Sequence, residues 1–172
     1  MNGISIWYYN NAIDCAKSND ITGALKALKN LPKESREDYN VKRLTSLCLM
    51  RLGYYKAAYD YAMDIEEYID FFEDNFLAYE SYIDDVIKEI NLKNYRGALS
   101  IIKKNSRNSS LEYDMTGIVY FLLDDIKKAK ENFFQALKID IYNPITIKLI
   151  LAINDEKELS FIYRFFKKII RR

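Results

Sequence analysis

The stretch of residues 113–144, YDMTGIVYFLLDDIKKAKENFFQALKIDIYNP, indicates the fold class most directly. Its large and small residues recur at helical spacing in two groups, first Tyr113, Thr116, Gly117 and Tyr120, then Ala129, Phe133 and Ala136. Large residues lie where two helices would meet, and small residues lie where the two backbones would come close. The stretch therefore predicts a helical hairpin that buries its apolar face by stacking on further copies of itself.

The composition also favours a helical protein. The chain has 172 residues, of which 49% are hydrophobic and 30% are charged, which is typical of a globular protein of one domain. Only 5 glycines and 2 prolines occur, which is few for a loop-rich or all-β fold. We therefore expect an all-α protein with long helices and brief joints.

The residue types of catalytic and metal sites are scarce. The chain has no histidine, and Cys15 and Cys48 lie on different predicted helices among apolar residues. The adjacent acids at 84–85 and 124–125 would not share a helix face, and no phosphate loop or nucleophile motif occurs. We expect no enzyme activity, no catalytic residue, no metal and no cofactor, and we interpret both cysteines as buried free thiols.

No targeting or membrane-spanning segment is predicted. The N-terminus lacks a basic start followed by a long apolar core. The longest apolar runs, such as residues 118–123, are too short to cross a bilayer. We therefore expect a soluble cytoplasmic protein.

Capping residues and helix breakers predict the helix ends. The start signals are Asp20, the Ser35–Asp38 capping box, Asn94, the Ser109–Glu112 capping box, and Asn143 followed by Pro144. Gly53 is expected to end the third helix in the left-handed conformation. The fourth helix is expected to carry Ile65, and its end is not fixed by any signal. The stretch 66–75 has no breaker, so it is either further helix or an irregular joint before a fifth helix over 76–90.

A small residue recurs early in four predicted second helices. These residues are Ala24, Ala58, Ala98 and Ala129, and their separations are 34, 40 and 31 residues. An aromatic or aliphatic residue lies three positions before each of the last three, where it would fill the turn between paired helices. The recurrence predicts four helical hairpins, with an insertion before the third.

This pattern resembles the tetratricopeptide repeat (TPR) family, whose unit of 34 residues has small and large residues in the same order. The resemblance extends over about residues 4–143 and is most specific in the fourth unit. The third unit departs from the pattern, because Val86 and Glu89 replace a small and an aromatic residue. In a single domain of residues 1–172, the predicted units are 4–31, 38–67, 76–105 and 110–143, followed by capping helices over 144–171.

The resemblance implies a right-handed α-α superhelix, or solenoid, whose concave groove is lined by the first helices. Such a groove binds a peptide or partner protein, as in an adaptor, scaffold or co-chaperone-like module. By position, the groove residues would be Tyr9, Ile13, Lys17, Arg43, Leu47, Met50, Arg51, Ile83, Ile87, Asn91, Asp114, Ile118 and Phe121. Ile118 and Phe121 have a second interpretation, in which the last helix covers them. The residues with which some members clamp a terminal carboxylate have no match here, so we expect no such clamp.

A basic amphipathic helix is predicted over residues 159–172. Its basic face consists of Arg164, Lys167, Lys168, Arg171 and Arg172. The favoured interpretation is a helix that caps the terminal repeat. The alternative is a helical scaffold that uses this face on a membrane surface or a nucleic acid. The net charge of only +1 argues against a nucleic-acid partner.

Charge is unevenly distributed along the chain. Residues 60–89 hold 11 acidic side chains and 1 lysine, whereas residues 157–172 hold 6 basic side chains and 1 glutamate. A run of acids usually forms a solvated helix face. An alternative hypothesis is that the acidic middle of one molecule contacts the basic tail of another, which would give salt-sensitive self-association.

Overall fold

The computed structural model describes residues 3–65 and 69–154, and between 69 and 81 it describes the side chains of Phe71, Glu73, Phe76 and Tyr79 alone. Every regular element in these ranges is an α-helix, which confirms the predicted all-α class. The helices are α1 (Gly3–Lys17), α2 (Ile21–Lys29), α3 (Lys33–Arg36), α4 (Tyr39–Leu52), α5 (Tyr55–Ala62), α6 (Ile69–Asn91), α7 (Tyr95–Asn105), α8 (Ser110–Leu122), α9 (Ile126–Ile139) and α10 (Pro144–Asn154). No helix in the described ranges combines the length and the apolar character needed to cross a membrane.

Most of the predicted helix starts are confirmed by side-chain caps. Ser109 accepts from the Glu112 amide at 3.4 Å, and the Glu112 carboxylate accepts from the Ser109 amide at 2.8 Å, which completes the capping box. Asn143 accepts from the Ile145 amide at 3.0 Å, and Pro144 is the first residue of α10. These helices therefore begin where a local side chain bonds amides of the first turn.

One predicted helix start was wrong, and one residue expected on a helix lies beyond its end. The capping box at Ser35 and Asp38 is absent, because Ser35 lies inside the short helix α3 and Asp38 itself caps α4 by accepting from the Asn40 amide at 2.9 Å. In addition, Ile65 was expected on the fourth helix, which is α5, but α5 ends at Ala62. The open question over residues 66–75 is answered from Ile69 onward, where α6 runs without a break to Asn91.

The described residues form two compact units. The first comprises the chain up to Tyr79 together with Lys138–Tyr142, and the second comprises Glu80–Leu137 and the chain from Asn143 onward. Helices α6 and α9 each contribute residues to both units.

The first unit is built from two packed helix pairs, α1 with α2 and α4 with α5. Its main core consists of Ala12, Ile21, Ala24, Ala27, Leu28, Leu31, Val41, Cys48 and Leu52. Aromatic contacts join α5 to the N-terminal half of α6, with ring centroids 4.4 Å apart for Tyr55 and Tyr79 and 5.7 Å apart for Tyr59 and Phe76. At the start of α1, Ile4 and Trp7 lie outside this core, with 67% and 62% of their surface exposed.

The second unit has its core between α8, α9 and α10. The buried residues of this cluster are Ile118, Ala129, Phe133, Leu149 and Ala152. Buried polar contacts fix the start of α10 on α8: the Asn143 amide group donates to the Ser110 hydroxyl, and the Thr146 hydroxyl donates to the Asp114 carboxylate, both at 3.0 Å. Because these polar atoms are removed from water, their mutual hydrogen bonds are needed to offset the cost of burial.

Candidate partner-binding surface

The four hairpin joints in the described part of the chain share one backbone geometry. In each, a residue with positive φ precedes the start of the second helix: Asn19 (61°), Gly53 (92°), Lys93 (58°) and Asp124 (62°). The amide of the following residue donates to the carbonyl five positions earlier, from Asp20 to Cys15 at 2.9 Å, Tyr54 to Leu49 at 2.9 Å, Asn94 to Glu89 at 2.8 Å and Asp125 to Tyr120 at 2.9 Å. This bond pattern is that of the Schellman helix end, so the chain reverses in the same way at all four joints.

The first turn after each joint also repeats. Asp20, Asn94 and Asp125 accept through Oδ1 from the amide three residues on, at 2.7, 3.1 and 3.1 Å, whereas Tyr54 makes no side-chain cap. Four fully buried residues follow the caps by four positions, namely Ala24, Ala58, Ala98 and Ala129. The recurring small residue of the sequence pattern therefore occupies one structural position in all four hairpins.

A second buried position recurs on the first helices, twelve residues before each of these alanines. It is occupied by Ala12, Ser46, Val86 and Gly117. All four are buried, including Val86, whose size departs from the small residue of the TPR pattern. At Gly117 the contact is closest, because a Cβ atom there would lie 2.5 Å from Cε1 of Phe133. Each of the four hairpins thus has one buried residue at the same place on its first helix and one at the same place on its second helix.

The groove candidates of the first unit are accessible. We call the residues Tyr9, Ile13, Lys17, Arg43, Leu47, Met50 and Arg51 the α1–α4 surface, after the two helices that carry them. Arg43, Leu47 and Arg51 follow one another at intervals of four and are exposed, Leu47 to 40%. This part of α4 therefore presents an apolar side chain between two guanidinium groups.

Charged side chains of α4 interact with residues of α1 and of the joint that follows it. Burial, and after it the Asp38 carboxylate, raise the pKa of Tyr9 above its usual value, while the nearby Arg43 charge lowers it. The Arg51 guanidinium donates to the Asn19 side-chain oxygen at 2.8 Å and to the Ala16 carbonyl at 3.4 Å. Arg51 thus stabilises the end of α1 as well as facing solvent, a role that the sequence pattern did not predict.

The groove candidates of the second unit are less accessible. Ile83, Asp114 and Ile118 are buried, and Asp114 accepts from the Thr146 hydroxyl. Phe121 is half-buried and packs against the core of this unit. Of the remaining two candidates, Ile87 is half-buried and Asn91 is exposed. The structure therefore places Asp114 and Ile118 in the core of this unit, and the last predicted helix, which was expected to cover Ile118, lies outside the described residues.

The basic C-terminal face, from Arg164 to Arg172, lies outside the described residues. Within residues 3–65 and 69–154, no three cysteine or acidic side chains converge in a way that could hold a metal ion. No model of a known protein family matches this chain, and no curated protein or solved structure matches it either.

Proposed function

We propose that this chain is a non-enzymatic protein-interaction module that binds an acidic segment of a partner protein on the α1–α4 surface. The proposal takes the hairpins as TPR-like repeats of a right-handed solenoid, with an adaptor or scaffold role. The recurrence of one joint and one pair of buried positions in four hairpins supports the repeat.

The exposed row Arg43, Leu47 and Arg51 is the observation that carries the partner assignment. Guanidinium groups form bidentate, charge-assisted bonds with carboxylates, and arginine clusters are a recurring means of binding acidic motifs. An exposed leucine between them supplies apolar contact at the centre, where binding energy usually concentrates. The expected ligand is therefore an acidic peptide with at least one apolar side chain.

The test compares two charge reversals of the same size. Arg43→Glu should abolish capture of the partner in a pull-down followed by mass spectrometry, whereas Arg96→Glu, an exposed arginine on α7, should leave the same protein captured. Leu47→Asp should also abolish capture, and circular dichroism should show that all three variants remain folded. Equal capture by wild type and Arg43→Glu would contradict the assignment of this surface.

Arg51 is not a suitable first test, although it belongs to the same row. Its replacement would remove the bonds to Asn19 and Ala16 and would disturb the first joint as well as the surface. Binding of short acidic peptides to the purified chain, followed by fluorescence anisotropy at rising salt, would then measure the electrostatic part directly.

A further inference from the structure

A segment from far along the chain lies against the joint between α1 and α2. The Asp140 carboxylate accepts from the Thr22 amide at 3.2 Å and from the Thr22 hydroxyl at 2.5 Å. Next to it, the Ile141 amide donates to the Asn19 carbonyl at 3.0 Å. The segment Lys138–Tyr142 accordingly belongs to the same compact unit as α1 and α2.

These bonds complete the start of α2. The first amides of a helix have no partner within the helix, and Asp20 bonds only that of Gly23. Asp140 bonds the amide of Thr22, and its negative charge lies at the positive end of the helix dipole. Since Asp140 is 0% exposed, its carboxylate depends on these charge-assisted bonds in place of water.

The first hairpin differs from the others at the residue that this contact requires. Thr22 lies two positions after the helix cap, and the same position holds Lys56, Arg96 and Lys127 in the other three hairpins. Those three side chains are exposed, whereas Thr22 is half-buried. A threonine is short enough to let a carboxylate reach the amide, and its hydroxyl supplies a second donor.

We infer that Lys138–Tyr142 acts as a strap that docks on the first joint, and that the first hairpin is specialised as its receptor. In an open array of repeats, each repeat contacts only its neighbours. The strap instead joins residues separated by 118 positions. The Thr22 amide in the first turn of α2 is therefore protected only while the strap is docked. This inference does not depend on the proposed function.

Amide hydrogen exchange of the full chain, read by NMR, tests the strap. Asp140→Ala should speed exchange of the residue-22 amide by about tenfold or more, because it removes the acceptor of that amide. Thr22→Val should speed the exchange by less, because it removes only the hydroxyl bond that helps to hold the carboxylate in place. On the Asp140→Ala background, Thr22→Val should have no further effect, since the carboxylate that accepts from the hydroxyl is already absent. Additive effects of the two replacements would overturn the strap.

The matched control is Lys127→Val, which makes a similar change at the equivalent position of the fourth hairpin. It should leave exchange at residue 22 unchanged, and a tenfold increase would overturn the inference. Should Asp140→Ala fail to fold, Thr22→Ser and Thr22→Val decide the question. Serine keeps the hydroxyl and should retain wild-type exchange, and equal exchange rates in the two variants would count against the strap.

Discussion

The second hairpin (α4 and α5) and the fourth (α8 and α9) turn through the same joint but fill the space between their helices differently. In the fourth, Gly117 lies against the ring of Phe133. At the equivalent positions the second hairpin has Ser46 and Ala62, and all four residues are buried. Local backbone hydrogen bonds therefore determine the geometry of the joint. The combined volume of one side chain from each helix determines how the two helices pack beyond the joint.

The largest loss of stability is expected from removing the buried aromatic ring of the fourth hairpin. Phe133→Ala should lower the free energy of unfolding by about 3–5 kcal/mol, because the ring is fully buried and a cavity would remain. The neighbouring Phe134 is 54% exposed, so Phe134→Ala should change stability by less than about 0.5 kcal/mol. Urea denaturation of both variants measures the difference, and equal losses would show that the second helix does not pack as described.

Adding side-chain volume at Gly117, beside Phe133, should lower the free energy of unfolding by less. Gly117→Leu should destabilise the chain by about 1–3 kcal/mol, because even a Cβ atom would lie 2.5 Å from the ring. Combining it with Phe133→Ala should give a smaller loss than the sum of the two, since the leucine enters the space that the ring leaves. If the losses in the free energy of unfolding simply add in the double variant, the leucine does not occupy the space that the ring leaves.

Removing the buried hydroxyl of the second hairpin, on Ser46, should not lower stability. The buried Ser46 hydroxyl has no hydrogen-bond partner among the described residues, and Ala12 occupies the same position in the first hairpin. Ser46→Ala should therefore be neutral or stabilising by up to about 1 kcal/mol. Thermal unfolding against the exposed control Ser100→Ala checks this, and a clear loss of stability would reveal a bond made by the hydroxyl.

The smallest change in stability is expected from titration of a thiol, and the two thiols, Cys15 and Cys48, should also differ in reactivity. Burial raises the pKa of the Cys48 thiol to about 11, although the Arg51 charge lowers it in part. Because burial favours the protonated thiol in the folded state, this contribution to stability is complete below the ordinary thiol pKa of 9.0 and is lost as pH rises to about 11. At pH 8 a thiol reagent should label Cys15, which is half-buried, well before Cys48. The variant Cys15→Ser reports the labelling rate of Cys48, and Cys48→Ser reports the labelling rate of Cys15. Equal rates would contradict the difference in burial.

Local chemistry explains which features could be predicted from sequence. Asp20, Asn94 and Ser109 were identified as caps because a cap bonds amides within three residues. At residues 35–38 two capping side chains compete, and the one adjacent to the helix, Asp38, is used. The missing helix breaker over residues 66–75 allowed further helix as one of two alternatives, and α6 does begin early, at Ile69.

The accessibility of the candidate surface could be predicted only in part. Position in the repeat identified Leu47 and Arg43, which are exposed, but it also selected Asp114, which is buried. Asp114 is buried beside Thr146, a residue 32 positions later, and sequence spacing does not reveal such a partner. The positive φ at Asn19, Lys93 and Asp124 was missed for a different reason, since only Gly53 carries the glycine that usually marks this conformation.

The joints also suggest an order of events during folding. Each closes through a bond between residues five positions apart, whereas the strap closes over 118 positions. Ordering a longer loop costs more entropy, so contacts between near residues can form early and the distant one late. Substitutions in the joints should therefore slow refolding, while Asp140→Ala should mainly speed unfolding. The hairpins would then be present in the transition state, and docking of the strap would be among the last steps to the native state.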